Sequence, residues 1–220
     1  SYGDGVRIFS YYGDEGSGRK FFIRQFCKKR EMRAITVDCK KLFVYDYSFV
    51  EQALWAAARE CILCNACCCL DGLSFHEEEK EKFFGYMDMA CSVLTRQGVL
   101  VFAVSKEQIN MKEATSQEFT QLELPTPSNQ EREDCWNYFA KDYGLEQDVD
   151  LAEMATKFLF TPGKIKAALH QARSYASMDQ NILIPRSTLF KGCNNQMSSE
   201  LTQKATRVEA KFGFEDIVMN

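Results

Sequence analysis

A glycine-rich segment near the start of the chain has residue types that suit phosphate binding. It comprises eight residues: Gly13, Asp14, Glu15, Gly16, Ser17, Gly18, Arg19 and Lys20. Phosphate-binding loops of the P-loop type join a strand to a helix N-terminus, so that backbone N–H groups point at phosphate oxygens. Glycine allows the tight turn and the close approach of the backbone. We therefore take this segment as a candidate nucleotide-binding loop, with an ordinary glycine-rich turn as the alternative.

Two positions of the loop depart from the P-loop pattern. The pattern is Gly, four residues, Gly, Lys, then Ser or Thr, whereas here Arg19 stands at the Lys position and Lys20 at the hydroxyl position. The Lys normally reaches the β- and γ-phosphates, and the hydroxyl holds Mg²⁺. Arg19 keeps a positive charge in a different shape, but Lys20 cannot bind a cation. The loop is thus predicted to accept ATP or ADP, and to be poorly suited to Mg²⁺ and to hydrolysis.

A carboxylate follows the apolar run Ala66–Leu70, which is typical of a buried parallel strand stopped by Asp71 and Gly72. In P-loop ATPases an Asp at the end of such a strand supports Mg²⁺, and in many families a catalytic Glu comes next. Gly72 occupies that next position, so no residue is predicted to be catalytic. Asp71 is a degenerate Walker B candidate, or only the turn residue that ends the strand.

Five of the ten cysteines fall within nine residues, at Cys61, Cys64, Cys67, Cys68 and Cys69. The spacing of Cys61, Cys64 and Cys67 is that of an iron–sulfur ligand run. However, the last three cysteines of the group lie in the predicted buried strand, which favours packed, reduced thiols over a metal site. Such thiols, and the lack of an apolar run of about 20 residues, indicate a cytoplasmic protein that does not enter a membrane.

Strands alternate with helices in the first part of the chain. The predicted strands are Val6–Tyr12, Ala34–Asp38, Ala66–Leu70, Gly98–Val104 and Phe119–Leu124, and the predicted helices are Arg19–Arg30, Ser48–Cys64 and Glu77–Leu94. This alternation predicts an α/β fold, with a parallel sheet covered by helices on both faces in three layers.

The pattern becomes all-helical after Pro125. A capping box at Ser128–Glu131, a similar start at Asp150 and the pair Thr161-Pro162 each predict the beginning of a helix, and a weaker helix covers Ser187–Ala205. The predicted domains are a core of residues 1–125, a helical domain of residues 126–205 and a linker of residues 206–220.

Taken together, these features resemble those of the AAA+ ATPase family over nearly the whole length of the chain. The resemblance is carried by three segments of the second half, which are similar to the last core strand with its Leu-Pro turn, the second lid helix and the lid helix of the sensor 2 region. These segments are Phe119–Pro127 followed by Gln130-Glu131-Arg132, Asp148–Ala155, and Phe160–Leu169 with Ala172.

Within that family, the chain resembles the degenerate first module of bacterial ATPases that carry two AAA+ modules in tandem. In that group a segment similar to Phe214–Met219 precedes the active module, so the resemblance implies a second module in the same chain and homo-oligomeric partners. It also implies sensors near Ser105 and Lys164, with Lys166 as an alternative to Lys164. The family's arginine finger has no counterpart, because no Arg occurs between Arg96 and Arg132.

The charge of the chain is unevenly distributed. The net charge is −4, yet residues 19–41 hold nine Lys or Arg against only Glu31 and Asp38. This basic region could attract phosphate on a nucleotide or on a nucleic acid, or could be a solvated helix face.

Three functions are compatible with the sequence. The chain could be a nucleotide-binding module that hydrolyses ATP weakly or not at all and that regulates or scaffolds an adjoining active module. It could instead be an oligomerisation domain that binds no nucleotide. The third possibility is an active ATPase in which Arg19 or Lys20 replaces the P-loop Lys.

Overall fold

The computed structural model of the chain describes residues 7–205, and the side chains of residues 7–198. The described residues divide into two compact units, with the boundary between Thr126 and Pro127. The predicted linker of residues 206–220, including the segment Phe214–Met219, lies outside the described residues. Within the described part, no helix combines the length and the apolar character that are needed to cross a membrane.

The first unit is built on a five-stranded sheet. Its strands are β1 (Ile8–Tyr12), β2 (Arg33–Asp38), β3 (Ala66–Leu73), β4 (Val101–Ser105) and β5 (Phe119–Glu123). They are arranged in the order β2-β3-β4-β1-β5, and every neighbouring pair is parallel. The predicted α/β fold with a parallel sheet is confirmed. The all-parallel pairing explains why β3 and β4 are nearly continuous apolar runs, since both of their faces are buried.

Helices cover both faces of this sheet. They are α1 (Arg19–Lys29), α2 (Cys39–Leu42), α3 (Tyr47–Leu63), α4 (Lys80–Arg96) and α5 (Met111–Ala114). On one face, α1 packs Ile23 and Cys27 against Cys67, Cys69 and Phe102. On the other face, the remaining four helices enclose the larger core around Ile8, Cys68 and Leu70. This arrangement agrees with the predicted three layers.

The end of β3 differs from the prediction. We expected the strand to stop at Asp71 and Gly72, but it continues to Leu73, which pairs with Ser105 of β4. The register shifts between Leu70 and Leu73, and Gly72 has a φ of 72°. An irregularity with glycine in the left-handed region lets a strand take up an extra residue and continue. Asp71 therefore lies within the strand and does not end it.

Two short helices, α2 and α5, were not predicted. Each has only four residues, which is about one turn and too short to produce a helical period in the sequence.

The second unit is all-helical. Its helices are α6 (Asn129–Ala140), α7 (Leu151–Lys157), α8 (Pro162–Met178) and α9 (Arg186–Ala205). Their apolar faces share a core that contains Trp136, Met154, Ile165 and Leu169. The predicted caps are confirmed at two of the helix starts. Ser128 and Glu131 form a complete capping box before α6, and the Asp150 side chain accepts hydrogen bonds from two backbone N–H groups at the start of α7.

Candidate functional site

The order of the strands creates a crevice at the carboxyl ends of β1 and β4. These strands are neighbours in the sheet. After β1 the chain enters α1 on one face of the sheet, and after β4 it passes to α5 on the other face. Neighbouring strands whose connections leave toward opposite faces open a crevice between them, which is the usual ligand site in open α/β sheets. The candidate loop and Ser105 both lie at this crevice.

The backbone of the loop requires glycine. Gly13, Gly16 and Gly18 have φ values of 148°, 79° and 98°, and Gly18 is the N-cap of α1 in a left-handed conformation. A Cβ atom added to Gly13 would lie 2.4 Å from the backbone oxygen of Leu124. The Gly13 N–H donates a 3.1 Å hydrogen bond to the Lys106 carbonyl, so the loop is tied to the segment that follows β4.

The loop ends at a helix N-terminus that can accept an anion. The first hydrogen bond of α1 runs from the Phe22 N–H to the Gly18 carbonyl at 2.9 Å, so the N–H groups of Arg19, Lys20 and Phe21 have no partner within the helix. The first turn has no acidic residue. In addition, the Ser17 hydroxyl oxygen is buried without a hydrogen-bond partner among the described residues. Unpaired donors at the positive end of a helix dipole favour negative charge.

The Arg19 side chain contacts another part of the first unit. Its guanidinium donates a hydrogen bond to the Ser105 carbonyl, across the crevice between β1 and β4. Burial lowers the pKa of Arg19 below its ordinary value, while the carboxylates of Asp71, Glu15 and Asp14 act in the opposite direction. An arginine remains charged under such conditions. The structure therefore places a cation between the candidate loop and the end of β4.

Lys20 forms an ion pair with Asp71. The distance from Lys20 Nζ to Asp71 Oδ2 is 2.5 Å, and the two side chains are 55% and 24% exposed. In P-loop ATPases the residues at these two positions share a Mg²⁺ ion. Here an ammonium contacts the carboxylate directly, so the two side chains neutralise each other without a metal.

The two candidate sensors differ in what the structure shows. Ser105 is buried at the end of β4, and its hydroxyl donates a 2.7 Å hydrogen bond to the Glu107 carbonyl. In this arrangement the Ser105 hydroxyl donates its hydrogen bond to the protein itself and not to a ligand. Lys164 belongs to the helical unit, where it is half-buried in the first turn of α8, and Lys166 is exposed two residues further on.

Eight of the ten cysteines are buried inside the first unit or the helical unit, Cys64 and Cys135 are partly buried, and all are free thiols. All ten lie in the described part of the chain, and none forms a disulfide. Cys27 Sγ and Cys67 Sγ are 3.4 Å apart in the core between α1 and β3. Burial raises the pKa of Cys67, and it raises the pKa of Cys69 to about 11. Across the described residues, no three His, Cys, Asp or Glu side chains are grouped so that they could hold a metal ion.

The sequence named most of the residues at the crevice but not their partners. The structure brings the loop residues Gly13, Arg19 and Lys20 together with Asp71 and Ser105, which lie far from the loop in the chain. The carbonyls of Ser105 and Lys106 were missed as partners, because a backbone acceptor carries no signal in the sequence. The Lys20–Asp71 pair did leave a signal, since the two positions that would share a cation in the P-loop pattern carry opposite charges.

Comparisons with known proteins do not assign a family. A scan against models of protein families found no family that matches this chain, and a search of curated proteins found none that matches it.

Proposed function

We propose that the first unit is a nucleotide-binding module that holds ATP or ADP in the loop Gly13–Lys20 without Mg²⁺ and does not hydrolyse it. As the resemblance to AAA+ ATPases implies, such a module regulates or scaffolds an adjoining active module, in homo-oligomers in the cytoplasm. The observation that carries the proposal is the 2.5 Å ion pair between Lys20 and Asp71.

The ion pair explains why the proposed site would not bind Mg²⁺. Mg²⁺ prefers oxygen ligands, and in nucleotide sites it is held by one or two carboxylates together with phosphate oxygens. The Lys20 ammonium occupies the Asp71 carboxylate and would repel a second cation at that distance. At the same time Lys20 brings one positive charge toward the place where Mg²⁺ would neutralise phosphate.

The loop retains the groups that bind phosphate by hydrogen bonding. The N–H groups in the first turn of α1, the Ser17 hydroxyl and the Arg19 guanidinium are donors within one short segment. Arg19 must release the Ser105 carbonyl to reach a phosphate, which is a change of partner for one flexible side chain. Hydrolysis lacks support because Gly72, which has no side chain, follows Asp71 where a water-activating carboxylate would stand.

The second candidate function is an interaction domain that binds no nucleotide. It is favoured by the hydrogen bond from Arg19 to Ser105, which fills the crevice with a side chain of the protein. The carboxylates of Asp14 and Glu15 in the same loop would also repel phosphate.

Titration calorimetry with ATP in EDTA, combined with a phosphate-release assay in Mg²⁺, tests the proposal on the full chain. We expect saturable heat at about 1 mM ATP or below, and release of phosphate at the background rate. Arg19→Ala should weaken ATP binding, whereas Lys28→Ala, which removes an exposed cation from the same helix outside the loop, should not.

The alternatives give different results in this experiment. The absence of heat at millimolar ATP and ADP would favour the interaction domain. Phosphate release above background that is abolished by Arg19→Ala or Lys20→Ala would show an active ATPase and overturn the proposal.

A further inference from the structure

A groove lies between α1 and β2, on the face of the sheet that α1 covers. It has a volume of about 410 Å³ and is lined by Lys20, Ile23, Arg24, Cys27, Lys28, Met32, Ala34, Thr36 and Cys69. The floor is apolar, since it includes Cys27, Cys69 and Ile23. The groove is separate from the crevice at the ends of β1 and β4, although Lys20 borders both.

One wall of the groove is a row of cations. Lys20, Arg24 and Lys28 are spaced four residues apart on α1 and therefore lie along one side of the helix. Lys20 is paired with Asp71, but Arg24 and Lys28 are exposed and form no ion pair with any described residue. None of the described residues that line the groove is acidic. The wall thus has positive charge that the surrounding described side chains do not balance.

The opposite wall is an edge strand with unused backbone hydrogen-bonding groups. Among the described residues, β2 is the last strand of the sheet and pairs only with β3. The Arg33 N–H donates a hydrogen bond to the Asn65 carbonyl at 3.0 Å. The backbone N–H and C=O groups of Arg33, and of every second residue after it, are therefore directed toward β3. By the alternation of a parallel pair, the N–H and C=O groups of Ala34 and Thr36 are directed toward the free edge. The side chains of these same two residues line the groove.

We propose that an extended acidic peptide of a partner protein docks in this groove by adding a strand to the free edge of β2. Its backbone pairs with the N–H and C=O groups of Ala34 and Thr36, as in other complexes formed by strand addition. Its acidic side chains on the groove face meet Arg24 and Lys28. The small side chains of Ala34 and Thr36 leave room for the side chains of the peptide. This proposal does not depend on nucleotide binding.

The groove suits a peptide better than a single-stranded nucleic acid. Sites for single-stranded nucleic acids combine positive charge with aromatic rings on which the bases stack. Of the described residues that line the groove, none has an aromatic side chain. In contrast, an edge strand offers a regular row of backbone donors and acceptors, which a peptide matches and a nucleic acid does not.

Fluorescence anisotropy with a labelled peptide of alternating Glu and Val tests the proposal on the full chain. We expect saturable binding at physiological salt, and a loss of about tenfold or more in affinity for the double variant Arg24→Glu/Lys28→Glu. The matched control is Arg59→Glu/Lys112→Glu, which makes the same change in net charge at exposed positions of α3 and α5. The control variant should bind the peptide as the unchanged chain does.

A second probe tests the role of the backbone without altering the protein. The same peptide with N-methyl groups on alternate residues keeps its charge but loses backbone donors, so we expect its affinity to fall by about tenfold. Equal binding of the N-methylated peptide, or tighter binding of a labelled oligo-dT strand, would overturn the proposal. So would an equal loss of affinity in the Arg24/Lys28 variant and in the control variant. None of these variants changes a residue of the loop Gly13–Lys20. The result of the peptide experiment is therefore independent of whether the loop binds ATP.

Discussion

At the scale of single residues, the candidate site is governed by which partner each charged side chain has. Arg19 and Lys20 are the two cations of the loop, and both are engaged within the first unit, by the Ser105 carbonyl and by Asp71. Lys20 and Asp71 are only partly buried, so their pairing contributes about 1 kcal/mol or less to stability. The consequence of the pair is therefore chemical. In the proposed function, the pair occupies the carboxylate that would otherwise hold Mg²⁺, at little cost or benefit to the fold.

The backbone at Gly13 provides a test of the loop geometry at the residue scale. In Gly13→Ala the new Cβ would meet the Leu124 carbonyl at 2.4 Å, on a backbone with a φ of 148°. We expect a loss of about 2 to 3 kcal/mol in the free energy of unfolding, measured by urea denaturation with circular dichroism.

Gly72→Ala is the matched comparison for this prediction. Gly72 also has a positive φ, but its nearest neighbour, the Lys40 side chain, would be 3.4 Å from the new Cβ. This variant should lose only about 1 kcal/mol. Equal losses in the two variants would show that the close approach to Leu124 is not required.

At the scale of the elements, helix α6 begins with a complete capping box. The Ser128 hydroxyl accepts a hydrogen bond from the Glu131 N–H at 3.3 Å, and the Glu131 carboxylate accepts one from the Ser128 N–H at 2.8 Å. We expect Ser128→Ala to lower the free energy of unfolding of the helical unit by about 1 kcal/mol. The buried Trp136 in the same helix gives the fluorescence signal, and Ser128→Thr is the control that keeps the cap.

The same cap gives a pH dependence of known sign. Hydrogen bonds from the Ser128 backbone, and then from its side chain, hold the pKa of Glu131 below its ordinary value of 4.5. A carboxylate whose pKa is lowered by folding stabilises the protein above its unfolded pKa, and this contribution is lost as the pH falls through the folded pKa. NMR titration should therefore give a pKa for Glu131 below 4.5 that rises toward it in Ser128→Ala. A pKa at or above 4.5 in the unchanged chain would contradict the capping geometry.

How far the elements could be predicted depends on their length and caps. The starts of α6 and α7 were predicted because caps are local signals of residue type. The four-residue helices α2 and α5 carry no periodic signal. The passage of β3 through Asp71 and Gly72 was missed for a different reason. A strand interrupted by an Asp-Gly pair is indistinguishable from a turn in the sequence, and its pairing with Ser105 is set by a strand distant in the chain.

At the scale of the whole molecule, the distribution of charge along the chain is more informative about binding partners than the net charge. The chain has a net charge of −4, while residues 19–41 hold nine cations and two carboxylates. The sequence showed this asymmetry but not where it lies on the fold. The groove depends on the position of β2 at the edge of the sheet, and strand order is set by pairings between distant segments. The glycine-rich loop was predictable because its residue pattern is contiguous, whereas its crevice depends on the adjacency of β1 and β4.

If Lys20 replaces Mg²⁺ at the nucleotide site, as we propose, the affinity of the whole chain for ATP should not depend on the metal. The most direct test compares the Kd for ATP in EDTA and in Mg²⁺, for the unchanged chain and for Lys20→Thr, with Lys28→Thr as the control. We expect nearly equal values for the unchanged chain and the control, and about tenfold tighter binding in Mg²⁺ for Lys20→Thr, where Asp71 and a hydroxyl can hold the ion. Tenfold tighter binding in Mg²⁺ by the unchanged chain, or no response to Mg²⁺ in Lys20→Thr, would contradict the proposed role of Lys20.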